Sequence, residues 1–142
     1  MSNPKIFATP QDVENAFYEA LERADLDAMM AVWAEDEEVV CIHPGGARLV
    51  GYALIREAWR HVFTRGNKLT VRIAQQTAVV TPFAVISTVL EQIGTRDDES
   101  ISAPVVATNV YVRGALGWRL VVHHASPAPP GSGELAAPKV LH

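Results

Sequence analysis

The chain is poor in several things whose absence narrows its function. Only one of its 142 residues, Cys41, is a cysteine, so no disulfide can form within it. A single thiol fits a reducing compartment. No run of lysine and arginine occurs, and the formal charge is −4. A nucleic-acid groove needs a basic stripe to compete for phosphates, so no nucleic-acid partner is expected. No apolar run approaches the roughly 18 residues that a membrane-spanning helix requires. The opening Met1 to Phe7 lacks the apolar core of a secretion signal. The expectation is a cytoplasmic protein with no membrane partner.

What is present suits a globular core: 49% of residues are hydrophobic and 20% charged. The expected domain spans 1–126. The remainder, 127–142, is rich in proline and glycine and reads either as disordered or as an arm on a partner subunit.

Thr9-Pro10-Gln11-Asp12 has the makings of a helix start: a capping hydroxyl, a proline for the first turn and an acid near the positive helix end. Val13, Ala16, Phe17, Ala20, Leu21 and Ala24 follow at helical spacing. Asp25 can cap a second, short helix through Leu26 to Trp33. Glu38 to His43 reads as a short strand ended by Pro44-Gly45-Gly46. Gly51 to Phe63 reads as a third helix, ended by Arg65-Gly66-Asn67.

Four stretches rich in valine, isoleucine and threonine then predict antiparallel strands over 69–80, 83–93, 103–113 and 117–126. They are apolar on both faces, so both faces should be covered, one by the helices and the other by a second subunit. The expected fold class is α+β, three N-terminal helices on a curved, mainly antiparallel sheet, and the expected partner is a second copy through that sheet.

Polar groups inside apolar stretches cost free energy unless they are paired, so they mark candidate sites. Cys41 and His43 lie two apart in a strand and face the same side. His43 could exchange a proton near neutral pH. Cys41 reads first as a buried, inert thiol. If Arg113 and Trp118 oppose each other across the turn, Asn109 faces Val122 and shares a side with His124. His124 is then the inward histidine and His123 the outward one, a choice that a bulge would reverse. Glu91, placed opposite Val105, puts Ser87 opposite Asn109 on the same face, where the carboxylate could tune an imidazole. Trp59 is a candidate pocket wall, and Cys41, Phe17, Tyr18, Trp33 and His123 are further candidate ligand contacts.

The order of elements resembles the nuclear transport factor 2-like superfamily, which includes ketosteroid isomerases and SnoaL-like polyketide cyclases. The resemblance runs over residues 10 to 126. It rests on Ala24 to Asp27, Trp33 to Val39, Cys41-Ile42-His43-Pro44-Gly45, Gly51 to Trp59, Glu91, Ala107-Thr108-Asn109 and Gly117 to His124. Within the superfamily the chain is most similar to a SnoaL-like subgroup.

The resemblance to the isomerases implies a general base at His43, in front of a Pro-x-Gly turn. It puts one oxyanion donor near Asn109 and the other, a first-helix tyrosine, on Phe17. Tyr18 is one place further on, about 100° around the helix, so the first-helix donor is expected to be lost unless Tyr18 turns inward.

Two functions follow. One is a cofactor-independent isomerase, cyclase, dehydratase or hydrolase acting on a small hydrophobic carbonyl compound. It would use His43 as base, Asn109 as oxyanion donor, and Glu91 or His124 to tune. The other is a non-catalytic ligand-binding or dimerisation domain. No cofactor and no metal are expected. The residue types of His43, Cys41, Glu91 and His123 or His124 leave a zinc or iron site as a third alternative.

Overall fold

Thr9 caps the first helix as its sequence requires: its hydroxyl accepts from the Asp12 amide at 3.0 Å. In the computed structural model, which describes residues 5–65, 69–95, 98–101 and 104–129, this helix is α1 (Pro10–Arg23). It ends at Ala24, whose backbone is left-handed with φ 52°. Asp25 then caps α2 (Leu26–Val32) through the Ala28 amide at 3.0 Å. Two short strands, β1 (Val40–Ile42) and β2 (Arg48–Val50), precede α3 (Tyr52–Thr64). The second half is β3 (Leu69–Val80), β4 (Ala84–Thr95), β5 (Asp98–Ile101), β6 (Val105–Gly114) and β7 (Gly117–Pro127).

The strands form one seven-stranded sheet in the order β2-β1-β7-β6-β4-β3, with β5 paired to β4. All pairings are antiparallel except β1 with β7. The α+β class is therefore observed, and the long strands lie within two residues of their expected bounds. β2 and β5 were not expected; at three and four residues they are too short to carry an alternation. Gly66 and Asn67 of the expected helix stop, and residues 130–142 of the expected tail, lie outside the described residues. The start of that tail is ordered into the sheet. Pro127 closes β7, and the Ala128 amide donates to Pro104 O at 2.9 Å.

Two bulges decide which side chains face the helices. In β3 the register shifts between Ala74 and Thr77, where Gln75 has φ 53°. In the β6–β7 pair, Tyr111 opposes Leu120 but Val110 opposes Val122, so Val121 is an extra residue. Beyond it Asn109 opposes His123, not Val122, and Ala107 opposes Ala125, not His124. The expected pairing is thus displaced by one residue. The bulge turns His123 inward, at 3% exposed, and leaves His124 exposed on the outer face.

The core lies between the helices and the inner sheet face. Val13, Phe17, Met29, Val32, Trp33, Ile55, Ala107, Tyr111 and Leu120 are all fully buried in it. On the outer face Val79, Ile86, Val110 and Val122 line up across four strands. Val79, Ile86, Val106 and Val112 there are all more than a third exposed.

Candidate functional site

The interior holds more polar groups than a plain core tolerates, and they are linked. Asn109, with no exposed surface, stands between its neighbours. Its Oδ1 lies 2.6 Å from His123 Nδ1. Its amide nitrogen donates to Tyr18 Oη at 3.0 Å and to Glu14 Oε2 at 3.2 Å. The Tyr18 hydroxyl donates to Glu91 Oε2 at 2.5 Å. Glu14 also accepts from Ser87 at 3.3 Å, from Tyr111 and from Gln76. An amide oxygen only accepts, so His123 carries its proton on Nδ1.

Three expectations change here. His124 does not face the interior; the extra residue Val121 has put His123 there instead. The first-helix hydroxyl is not lost. Phe17 and Tyr18 are both buried, because α1 sits deep enough for two adjacent side chains to reach the sheet. Asn109 is inside as expected, but both its amide hydrogens are already engaged by Glu14 and Tyr18.

Glu14 and Tyr111 were not singled out from the sequence. A glutamate on an amphipathic helix ordinarily marks the solvent face. The available signal was spacing: Glu14 is four residues before Tyr18 and so on the same helix side.

Glu91 pairs with Val105 and Ser87 with Asn109, as the alternation implied. Burial raises the Glu91 pKa to about 7, the Glu14 charge adding to the rise and the Tyr18 hydrogen bond opposing it. Burial also raises Tyr18 and Tyr111 well beyond the usual phenol range. His123 is driven down to about 3, by burial first and then by the nearby His43 and His124.

His43 is half-buried at the rim, and burial lowers its pKa, so its imidazole is neutral at neutral pH. It meets Trp59 edge-on with ring centroids 4.6 Å apart. Trp59 also touches Phe17 at 5.8 Å, Phe63 at 5.4 Å and His123 at 6.5 Å. The two imidazoles are therefore gathered around one indole. Cys41 Sγ lies 3.7 Å from His43 Nε2. Burial pushes the thiol to about 12, which removes it as a nucleophile.

Trp33 stands apart from this group. It lines a cleft of about 650 Å³ between α2, α3 and the β6–β7 turn, with Tyr52, Arg56 and Arg119. A second cleft, about 530 Å³, opens between α1 and β3, where Glu14, Tyr18 and Gln76 reach its wall. The polar interior thus meets the surface beside the β3 bulge. Among the described residues, no three His, Cys, Asp or Glu side chains gather as a metal ligand set, and the zinc or iron alternative gains no support. No described helix is long and apolar enough to cross a membrane.

Residues 11–130 match the family described as the SnoaL-like domain. The chain belongs to that family. A solved structure of a candidate calcium/calmodulin-dependent protein kinase type II association domain from Thiobacillus denitrificans is 42% identical to this SnoaL-like chain. It covers 87% of this chain and 98% of its own, with a TM-score of 0.78. A candidate dehydratase of the nuclear transport factor 2-like family from Streptomyces avermitilis is 29% identical, covering 82% and 91%, with a TM-score of 0.74. A nuclear transport factor 2-like protein of unknown function from Pseudomonas putida, 19% identical, covers 93% of both chains with a TM-score of 0.76 and shares the fold. No curated protein matches the chain.

Proposed function

We propose that this SnoaL-like protein is a cofactor-independent enzyme of proton transfer, acting on a small apolar carbonyl compound with His43 as general base. The observation that carries the reading is the state of His43: a half-buried imidazole, held neutral by burial, against an aromatic wall at the edge of an apolar interior. A neutral imidazole can accept a proton from carbon at physiological pH. The network behind it supports the same reading. Two buried carboxylates, two phenols, an amide and an imidazole cost stability, and such clusters of shifted groups concentrate at functional sites. The Streptomyces relative, a candidate dehydratase, is consistent with proton-transfer chemistry.

Deuterium uptake at the α-carbons of 2-tetralone tests the base without knowledge of the natural substrate. Wild-type protein should exchange these positions faster than buffer, and the rate should fall as pH drops below a single break under 6.5, His43's ordinary value. His43→Ala should lose about 100-fold or more. Equal exchange by the alanine variant, or none above buffer by the wild type, defeats the reading.

A second reading is an assembly domain without catalysis. It is favoured by the 42% identical relative, a candidate association domain, and by the row Val79, Ile86, Val110 and Val122 on the outer sheet face. The two readings share one expectation, a homodimer through that face. Sedimentation should then give twice the 15.4 kDa of one chain, and Ile86→Lys should give the single chain. A wild-type monomer would discard the dimer.

A further inference from the structure

We propose that the indole N–H of Trp59 is the donor that holds the ligand's oxygen beside His43. The inference rests on the proton-transfer reading and supplies a part it lacks. A carbonyl compound losing an α-proton needs a hydrogen-bond donor at its oxygen. Among the described residues, the donors of the buried network are committed: Asn109 to Glu14 and Tyr18, Tyr18 to Glu91, Ser87 and Tyr111 to Glu14, and His123 Nδ1 to Asn109.

Trp59 is different. It is 3% exposed, and its Nε1 is buried with no hydrogen-bond partner. A buried donor without an acceptor is costly, and native proteins retain few of them. This one belongs to the ring that meets His43 at 4.6 Å. Phe17 and Phe63 pack against the same indole, so the N–H belongs to a ring set among apolar aromatics, which suit the body of a flat ketone. Trp33 Nε1 is also buried without an acceptor, but Trp33 lines the separate cleft by α2 and provides an internal control.

In the step itself the His43 imidazole takes a proton from the α-carbon. The C–H electron pair becomes the C=C bond of an enolate, and the carbonyl π pair moves onto oxygen. The Trp59 N–H strengthens its hydrogen bond as that oxygen gains charge. Imidazolium then returns a proton to carbon, a deuteron in heavy water, and the ketone is restored.

The test uses full-length protein with 2-naphthol as a flat enol mimic and 2-tetralone as the exchanging ketone. Trp→Phe variants assign the three indole N–H resonances. Added 2-naphthol should move the Trp59 signal downfield and leave those of Trp33 and Trp118 in place. Trp59→Phe should slow 2-tetralone exchange about 100-fold, in kcat more than in KM, without moving the pH break of His43.

The proposal falls if the Trp59 signal stays put at naphthol concentrations that inhibit exchange, or if Trp59→Phe exchanges as fast as wild type. Should that variant not fold, the wild-type spectrum decides alone. A silent Trp59 with a His43-dependent rate removes the donor and keeps the base. A shifted Trp59 with a His43-independent rate removes the base and keeps the donor. Neither shift nor exchange removes both.

Discussion

Glu14 accepts from four side chains, Gln76 and Ser87 at one oxygen and Asn109 and Tyr111 at the other. It is 3% exposed and tethers α1 to β3, β4 and β6 at a single point. An amide in its place keeps one oxygen but turns an N–H₂ group toward two donors. Glu14→Gln should therefore cost about 2–4 kcal/mol, the range for breaking a buried charged network while leaving its partners in place. Urea unfolding of the two proteins measures it, and a loss below about 1 kcal/mol would show that the interior rearranges freely. Tyr111→Phe removes one of the four donors along with its hydroxyl. It should cost less, about 1 kcal/mol, because Glu14 keeps three partners.

The turn between β6 and β7 closes the hairpin that carries Asn109 and His123, and Gly117 shapes it. Its φ is 85°, and a Cβ there would stand 2.5 Å from Phe7 O. The Trp118 amide donates to that same oxygen at 2.9 Å, which pins the segment before α1 to the hairpin. Gly117→Ala should lower stability by more than about 2 kcal/mol, since strain and the clash with backbone add. Thermal unfolding would reveal it.

The opposite sign is expected at Ala24, left-handed at the end of α1. Ala24→Gly should stabilise by about 0.5–1 kcal/mol. An unchanged melting temperature would mean that the site has already relaxed. These elements also show what could be read in advance. Thr9 and Asp25 cap where they should, because a capping side chain acts within three residues. Glu91, Ser87 and Asn109 share the inner face because β4 and β6 pair without interruption there. Which of His123 and His124 faces inward was out of reach, since one extra residue, Val121, reverses every later side chain and no local residue type announces it. The inward turn of Tyr18, left open by the sequence, has a tertiary cause: how deep α1 sinks against the sheet is decided by packing, not by its own periodicity.

Over the whole molecule, the shifted groups of the interior act on stability in opposite directions. Glu91 is raised, from its ordinary 4.5 to about 7, so the folded state holds a proton there that the unfolded chain releases. That contribution is complete below about 4.5 and is lost as pH rises through 7. His123 is lowered from 6.5 to about 3, so the folded state excludes a proton that the unfolded chain takes up. Its contribution is complete above 6.5 and is lost as pH falls toward 3. Between 4.5 and 6.5 the two proton counts cancel: folding moves one proton from a histidine to a carboxyl inside the same network.

Glu91→Gln removes one side of that balance and retains an oxygen to accept from Tyr18. The variant's stability should then climb with pH from 4.5 to 6.5, with the His123 share approaching 1.4 kcal/mol per pH unit. Burial of His43 adds to the slope near its upper end. Wild-type protein should be flatter over the same window by about that His123 share. Urea midpoints at half-unit pH steps for both proteins measure the difference. Parallel profiles would mean that Glu91 is already ionised throughout, and that the proton shared between its carboxylate and the Tyr18 hydroxyl stays with the phenol.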